Sequence, residues 1–305
     1  MSRILVTGKD GQVGFELLRR LAALGQVIGT GRDEMDLADP DAIRRVVSEA
    51  KPDLIVNAAA YTAVDKAESE PELAQAVNGV APGILAEEAQ RLGAALIHYS
   101  TDYVFDGTKA APYAEDDEPR PINAYGRTKL AGERAIQAVD APHLILRTSW
   151  VYGMRGRNFL LTILRLAKER DELTIVDDQI GAPTWSRAIA AATGAMLTSL
   201  GYGHSGFRDA CAAKRGIYNL SAAGQTSWHG FAAAILANAA SVRSGASPLA
   251  LKRMPVLIPI RTEHYPLPAQ RPRYSVLSHA KLQREFGLAM PGWESSLADC
   301  MNSSA

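Results

Sequence analysis

Short apolar runs alternate with longer amphipathic stretches through the first half of the chain. The short runs are typical of buried strands, and apolar residues spaced three and four positions apart are typical of helices. This alternation predicts an α/β fold, a doubly wound parallel sheet with helices on both faces. The predicted strands are Ile4–Thr7, Gln26–Thr30, Asp53–Asn57, Ala95–Tyr99 and His143–Arg147, and the predicted helices are Val13–Leu24, Pro40–Ala50, Pro71–Leu92 and Ala124–Val139.

The second half of the chain, after about Trp150, has a less regular pattern. Five prolines between positions 255 and 272 predict an ordered loop that crosses the surface. We expect this half to form a smaller C-terminal α/β lobe, with some segments returning to the main sheet. The predicted elements are helices at 158–169, 186–200, 228–240, 278–286 and 293–301 and a strand at 216–220.

A glycine-rich turn, residues 8–14, follows the first predicted strand and opens the first helix. Gly8 permits the tight turn, Gly11 lets backbone N–H groups approach a pyrophosphate, and Gly14 lets the helix pack closely on the strand. The pyrophosphate would lie at the positive end of the helix dipole. The placement between strand and helix therefore predicts a Rossmann-type dinucleotide site, with residues 1–152 as the cofactor domain and residues 153–305 as mainly the substrate lobe.

The end of the second strand indicates which dinucleotide is bound. NADH binding usually relies on an acidic residue there, which holds the ribose 2′-hydroxyl. Here Arg32 stands where it can meet a 2′-phosphate, so NADPH is favoured, with NADH possible. In the alternative, Asp33 or Glu34 binds the ribose and Arg32 faces water.

Tyr125 and Lys129 lie four residues apart, on one face of a predicted helix. A lysine ammonium next to a phenol stabilises the phenolate, so we expect Lys129, together with the positive oxidised nicotinamide, to lower the pKa of Tyr125. Tyr125 would then donate a proton to the alkoxide that forms when a ketone receives hydride. Thr101, at the end of the fourth strand, would hydrogen-bond the same oxygen. Asp102 would be an additional acid, a contact to a sugar hydroxyl, or a turn cap.

Composition excludes several classes of protein. The 33 Lys and Arg residues equal the 33 Asp and Glu residues, so no net charge attracts nucleic acid or an anionic membrane. The two cysteines, Cys211 and Cys300, provide neither a disulfide framework nor a Cys-based metal site. Neither a signal peptide nor a membrane-spanning run is recognised. We therefore expect a cytoplasmic globular protein.

Several segments match motifs of a known enzyme family. The most distinctive is Ala63-Val64-Asp65-Lys66-Ala67-Glu68, after the third strand. The others are Gly11–Gly14, Val56–Thr62, Ser100–Phe105, Tyr125–Glu133, Arg147–Tyr152, Asp178–Thr184 and Arg271-Pro272. Over nearly its whole length the chain resembles the dTDP-4-dehydrorhamnose reductases, which belong to the extended short-chain dehydrogenase/reductase superfamily.

The resemblance implies reduction of the C4 ketone of dTDP-4-dehydro-6-deoxy-L-mannose (dTDP-4-dehydro-L-rhamnose) with NADPH, to give dTDP-L-rhamnose for surface polysaccharide such as lipopolysaccharide O-antigen. It implies catalytic roles for Thr101, Tyr125 and Lys129, and substrate binding by Asp102. The cofactor-lining residues that it implies are Gly11, Gln12, Val13, Asp36, Leu37, Ala60, Tyr61 and Thr62.

The resemblance also implies contacts between the sugar nucleotide and Trp150, Asn158 and Arg271. The planar guanidinium of Arg271 suits a diphosphate, although an ordinary salt bridge is an equal alternative. Trp150 equally fits a core position, but its place after a strand end favours the pocket.

Two positions depart from the family pattern. Gly31 replaces an acidic residue, which supports NADPH. Some members are implied to form dimers around Mg²⁺ bound by glutamates. Glu16 and Glu294 fit that pattern, but Arg187 occupies the third position. A cation there disfavours the metal, so we predict no metal site and either a monomer or a homodimer.

Two other functions remain open at this point. One is a nucleotide-sugar epimerase or dehydratase of the same superfamily, although a dehydratase is expected to have a carboxylate pair where Asp102-Tyr103 supplies one. The other is a non-catalytic regulatory subunit, since the beta subunit of methionine adenosyltransferase is similar to this family. The intact Tyr125 and Lys129 pair argues against the second.

Overall fold

A parallel sheet of six strands lies at the centre of the computed structural model, which describes residues 2–241 and 253–303. The strands are β1 (Arg3–Thr7), β2 (Gln26–Thr30), β3 (Leu54–Asn57), β4 (Ala95–Thr101), β5 (His143–Thr148), β6 (Val151–Tyr152), β7 (Glu172–Val176), β8 (Ile180–Gly181), β9 (Thr184–Trp185), β10 (Gly216–Asn219), β11 (Thr226–Ser227) and β12 (Val256–Ile260). The central sheet has the order β10-β5-β4-β3-β1-β2, with every pair parallel.

Helices cover both faces of this sheet. They are α1 (Gln12–Leu21), α2 (Pro40–Ala50), α3 (Pro71–Gln75), α4 (Ala81–Leu92), α5 (Ala124–Gln137), α6 (Phe159–Glu169), α7 (Ser186–Ser199), α8 (Phe207–Ala213), α9 (Trp228–Ser241), α10 (Ala280–Phe286) and α11 (Trp293–Asn302). Side chains along a strand alternate between faces. Ile4 therefore packs with Leu17 of α1 on one face, whereas Leu5 packs with Ile43 of α2 on the other. The predicted doubly wound α/β fold is confirmed.

The second half of the chain contributes to two cores. Strand β10 pairs with β5 at one edge of the main sheet, and α7 packs against α1. A separate apolar cluster joins α6, α9 and α11 through side chains such as Ile163, Phe231 and Leu297. Because segments beyond residue 152 belong to both cores, the domain boundary at that position stays a prediction.

Two predicted elements differ in the structure. The single helix predicted at 71–92 is interrupted by the π-helical turn Ala76–Val80. Gly132 of α5 approaches this turn so closely that a Cβ there would lie 2.1 Å from the Asn78 carbonyl oxygen, and Pro82 has no N–H to return to that carbonyl. The proline-rich stretch is not all loop, since Val256–Ile260 pairs with β7. In a two-stranded sheet Pro259 can occupy an edge, where a missing donor is tolerated.

None of the helices within residues 2–241 and 253–303 has the length and apolarity needed to cross a membrane. The carboxyl ends of β1, β3, β4 and β5 meet at one edge of the central sheet. Helix α5 begins beside that edge, where the side chain of Asn123 accepts a hydrogen bond from the Gly126 N–H, 2.7 Å away. The fold thus brings the glycine turn and the Tyr125–Lys129 helix to the same edge of the sheet.

A buried ion pair fastens α5 to β5. Arg147 donates to both carboxylate oxygens of Glu133, at 2.9 and 2.7 Å, and both side chains are 1% exposed. We expect Glu133→Ala to lower the free energy of unfolding by about 3–5 kcal/mol, because it leaves an uncompensated buried charge. Glu169→Ala removes an exposed pair with Arg165 and should cost less than about 1 kcal/mol. Urea unfolding measures both, and equal losses would contradict the expectation.

Candidate active site

A cleft of about 570 Å³ opens at the carboxyl edge of the sheet, between the glycine turn and α5. Its walls come from the ends of several strands and from the first turn of α1. The structure brings together at this cleft nearly all the residues predicted to bind the cofactor. These are Gly8, Gly11, Gln12, Val13, Arg32, Asp36, Leu37, Ala60, Tyr61, Thr62, Tyr125 and Lys129.

The glycine turn has the shape that a pyrophosphate needs. Gly8 has φ +71°, and a Cβ there would lie 2.9 Å from the Ala59 backbone. Gly11 donates its N–H to the Gly8 carbonyl at 2.9 Å, which closes the turn. Gly14 lies outside the cleft, because its missing Cβ leaves room for the Gly8 carbonyl oxygen, only 2.0 Å from where that atom would be. Gly14 therefore permits the close packing of α1, and its predicted contact with cofactor stays a prediction.

The end of β2 places Arg32 at the mouth of the cleft. Arg32 is exposed, and its Nε lies 3.7 Å from an oxygen of Asp36, which also lines the cleft. Glu34 instead accepts a hydrogen bond from the Gly31 N–H at 2.7 Å and pairs with Lys9. Neither Asp33 nor Glu34 lines the cleft, so this geometry favours Arg32 over the acidic alternatives.

Tyr125 is half-buried beside Thr101, and the two side chains are hydrogen-bonded. Burial raises the pKa of Tyr125 to about 12, and the Thr101 hydrogen bond opposes that rise. The predicted lowering of this pKa by Lys129 together with the oxidised nicotinamide stays a prediction; in this structure, removal from water favours the uncharged phenol. A phenol that is protonated at neutral pH is suited to donate a proton to a forming alkoxide.

Lys129 is 1% exposed and turns toward β4. Its Nζ donates to the Tyr99 carbonyl oxygen at 2.6 Å and lies 3.1 Å from His98 Nε2. His98 Nδ1 lies 3.0 Å from the side-chain nitrogen of Asn57, at the end of β3. Burial lowers the pKa of Lys129 to about 8, and the charge of Glu133 opposes this change. The lysine thus has strand partners that its spacing from Tyr125 did not reveal.

The side chain of Asp102 is hydrogen-bonded to that of Thr101. It accepts hydrogen bonds from the Thr101 hydroxyl and the Ser149 hydroxyl, each at 3.0 Å, and one from Ser275. Asp102 is 2% exposed and does not line the cleft. Burial raises its pKa to about 6, although the hydrogen bonds oppose that rise. In this position it orients Thr101, and its predicted contact with substrate stays a prediction.

The other predicted substrate residues do not line this cleft. Asn158 caps α6, where it accepts from the Leu161 N–H at 3.0 Å, and its amide nitrogen donates to Gln12 at 2.8 Å. Arg271 pairs with Asp65 at 2.8 Å and is largely buried. Trp150, next to the cleft residue Val151, is half-buried. Their contacts with a sugar nucleotide remain predictions.

Sequence reasoning missed several residues of the cleft. Met35, Leu73 and Val77 supply apolar wall, and Arg157 supplies a second cation opposite the glycine turn. Gly156 and Arg157 lie in the loop between β6 and α6, far along the chain from the turn. A basic residue in a glycine-containing loop before a helix was the available signal. The missed lining residues are Thr7, Asp10, Thr30, Gly31, Met35, Ala58, Ala59, Leu73, Val77, Tyr99, Ser100, Thr148, Val151, Gly156 and Arg157.

Two residues of the implied Mg²⁺ pattern, Glu16 and Arg187, contact each other. Arg187 donates from Nε to Glu16 at 3.2 Å and thereby neutralises that carboxylate. Within residues 2–241 and 253–303, no cluster of three or more His, Cys, Asp or Glu side chains is arranged to hold a metal ion. The guanidinium of Arg187 thus supplies a positive charge beside Glu16.

The parallel sheet, the glycine turn and the Tyr125–Lys129 pair at one cleft define a dinucleotide-binding α/β oxidoreductase of the short-chain dehydrogenase/reductase type. The chain belongs to the RmlD substrate binding domain family, whose family model matches residues 1–305.

Several proteins similar to this chain are named dTDP-4-dehydrorhamnose reductase. The dTDP-4-dehydrorhamnose reductase of Burkholderia thailandensis is 52% identical over 300 residues, which is 98% of each chain. That of Escherichia coli K12 is 44% identical, over 98% of this chain and 97% of the relative. The crystal structure of the Bacillus anthracis dTDP-4-dehydrorhamnose reductase in complex with NADP has a TM-score of 0.85 at 35% identity, covering 98% of this chain and 99% of that one. A Thermus thermophilus UDP-glucose 4-epimerase, at TM-score 0.76 and 20% identity over 98% of both chains, shares the fold.

Arg32 provides a direct test of the cofactor site. We expect Arg32→Ala to weaken NADPH binding on the order of tenfold and NADH binding little, because a charge-assisted contact to the 2′-phosphate is lost. Fluorescence titration of each dinucleotide measures this. Arg165→Ala is the control, since Arg165 also has an i,i+4 acidic partner but lies on α6. Unchanged NADPH affinity in Arg32→Ala would assign the 2′-phosphate to another residue.

Asp102 predicts a pH dependence of stability. Its folded pKa of about 6 lies above the ordinary value of 3.8, so its contribution to stability is full below pH 3.8 and is lost as the pH rises through 6. Between pH 5 and 7 the wild type should lose about 1 kcal/mol relative to Asp102→Asn, which cannot ionise. Urea unfolding at both pH values measures this difference. Parallel pH dependences of the two proteins would show that the carboxyl ionises normally.

Proposed function

We propose that the chain is an NADPH-dependent dTDP-4-dehydrorhamnose reductase, which reduces the C4 ketone of dTDP-4-dehydro-L-rhamnose to dTDP-L-rhamnose. The observation that carries the proposal is that Tyr125, Lys129 and the glycine turn line one cleft. The names of relatives at 52% and 44% identity support the substrate, and the NADP in the complex of a 35% identical neighbour supports the cofactor.

The glycine turn and Arg32 hold the two charged ends of the cofactor in this proposal. The turn presents backbone N–H groups and the amino end of α1 to a pyrophosphate. Arg32 offers its guanidinium to a 2′-phosphate. Lys129 directs one buried N–H group to the Tyr99 carbonyl, and its other donors suit the hydroxyls of a ribose. When NADPH is bound, it supplies the hydride for the ketone carbon.

Proton delivery is the task of the residues on α5 and β4. The Tyr125 hydroxyl is protonated at neutral pH, as an ordinary phenol is, and burial raises its pKa further. It donates its proton to the C4 oxygen as that oxygen gains negative charge. Thr101 hydrogen-bonds the same oxygen, an interaction worth roughly 3 kcal/mol in comparable sites. In the structure the Thr101 hydroxyl donates to Asp102, so it has to turn from Asp102 to the C4 oxygen to make this contact. A charged lysine near the phenolate left by this transfer stabilises it.

We further propose that the protein works in the cytoplasm as a monomer or a homodimer. The substrate lobe in this proposal is formed mainly by residues beyond 152. Trp150, Asn158 and Arg271 are its proposed contacts with the dTDP-sugar, and the ion pair between Arg271 and Asp65 would have to reorganise for Arg271 to meet a diphosphate.

Oxidation of NADPH with the defined ketosugar tests the function. We expect one NADPH oxidised per dTDP-4-keto-6-deoxy-L-lyxo-hexose consumed, measured at the NADPH absorbance band, and slower turnover of UDP- and GDP-linked ketosugars. Tyr125→Phe should fold normally and lose at least about a hundredfold in kcat, because the proton donor is removed. The control Tyr113→Phe removes a hydroxyl that is bonded to Asp106, away from the cleft, and should keep full activity.

Other outcomes point to other functions. Near-full turnover by Tyr125→Phe would remove this tyrosine from the mechanism. Conversion of a nucleotide sugar without added reductant, by protein that retains its cofactor, would indicate an epimerase or dehydratase. Purification with a partner protein and no reductase activity would indicate a regulatory subunit.

A further inference from the structure

The backbone at Trp150 has an unusual conformation. Among the described residues other than glycine, Lys51 and Trp150 have positive φ, at +46° and +45°. Lys51 ends α2, where its N–H bonds to the Val47 carbonyl, which is an ordinary helix cap. Trp150 follows a strand and has no such role. A bulky residue rarely adopts this region, and such conformations persist where the surrounding structure imposes them, often at functional sites.

Contacts around the indole hold Trp150 in place. Its ring stacks on Trp228 with centroids 3.5 Å apart and planes 5° from parallel. A Cβ at Gly181 would lie 2.5 Å from the Trp150 ring, so the absence of that atom makes room for the indole. The Thr184 N–H donates to the Trp150 carbonyl at 3.2 Å. The strained residue is thus fixed at both its backbone and its ring.

The two stacked indoles have different hydrogen bonding. Trp228 donates its N–H to Gln179 at 3.2 Å, and Gln179 donates in turn to Thr262 at 3.1 Å. Phe159 packs against the Trp228 ring with centroids 4.6 Å apart. Trp150 is half-buried, and within residues 2–241 and 253–303 its N–H has no hydrogen-bond acceptor. A partly buried tryptophan usually uses that donor, so Trp228 is anchored while Trp150 keeps a donor for another molecule.

The neighbours of Trp150 in sequence connect it to the catalytic residues. Ser149 donates to Asp102, which itself bonds to Thr101. Val151 lines the cleft. The Trp150 backbone thus lies between the cleft wall and the support of Thr101, whereas its indole contacts Trp228.

We propose that Trp228 is a positioning residue that acts through Trp150: it holds the strained indole as a flat wall of the substrate site, with the Trp150 N–H directed to the sugar nucleotide. This inference rests on the proposed function and names the residue that determines how the sugar nucleotide meets its aromatic wall. Gln179 and Phe159 contribute indirectly, because they hold the Trp228 ring in position.

A double-mutant cycle tests whether Trp228 acts through Trp150. Trp228→Ala should raise KM for the dTDP-ketosugar about tenfold, the order expected from losing a stacked aromatic support, and should leave NADPH affinity unchanged. Trp228→Phe retains a ring and should stay within about threefold of wild type. Trp150→Ala should raise KM, and Trp150→Ala combined with Trp228→Ala should have the KM of Trp150→Ala.

Trp293→Phe is the matched control. Trp293 is buried in the same apolar cluster and meets Phe231 edge-on, away from Trp150. Trp293→Phe should lower the free energy of unfolding without changing KM for the dTDP-ketosugar. This result separates a positioning role from a general loss of packing. Multiplied KM effects in the double variant, or an unchanged KM in Trp228→Ala, would overturn the inference. A wild-type chain that oxidises no NADPH with the ketosugar would instead refute the proposed function, so the two failures are distinguishable.

Discussion

The close approach of α1 to the end of β1 is the constraint on which the cleft depends. The Gly8 carbonyl oxygen occupies the space that a Cβ of Gly14 would need, and Gly8 itself lies against the Ala59 backbone. The chain can therefore leave the strand, turn and start the helix within a few residues, and the amino end of α1 faces the sheet edge where the strands end. Without that turn, the residues of β4 and α5 would have no dinucleotide beside them.

Burial has a common effect on three residues of the candidate site. Lys129 and Asp102 are buried and Tyr125 is half-buried, and each pKa moves in the direction that favours the uncharged form. Hydrogen bonds from the strand ends limit the shift for Asp102. The Arg147–Glu133 pair differs from these residues. Both side chains are buried, but their opposite charges compensate each other. The pair therefore has a structural role, linking α5 to β5.

The second half of the chain completes the site through long-range contacts. Trp150 is supported by Gly181 and Trp228, and Ile180 receives a backbone hydrogen bond from Ser275, whose side chain also bonds to Asp102. Strand β8, Ile180–Gly181, thus contacts both Trp150 and the segment that supports Asp102 and Thr101. This sharing explains why a motif without obvious chemistry, Asp178-Gln179-Ile180-Gly181, is placed beside reactive residues.

The sequence determined those features that depend on local spacing. Strand and helix periods predicted the parallel sheet, Gly8 and Gly11 predicted the turn, and the i,i+4 spacing of Tyr125 and Lys129 predicted a shared face. Several elements escaped this reasoning, among them β7 and α8. For the π-helical turn within 71–92 and strand β12, the reason is a partner distant in sequence: Gly132 for the first and β7 for the second.

Only the tertiary structure decided the partners of the site residues. It turned Lys129 toward His98 and the Tyr99 carbonyl, paired Arg271 with Asp65 and Arg187 with Glu16, and raised the pKa of Tyr125 by desolvation. The physical reason is that hydrogen-bond partners and the degree of desolvation depend on which distant segments pack together. The residue types specify what chemistry is available, whereas packing specifies the charge and direction with which each group enters the cleft.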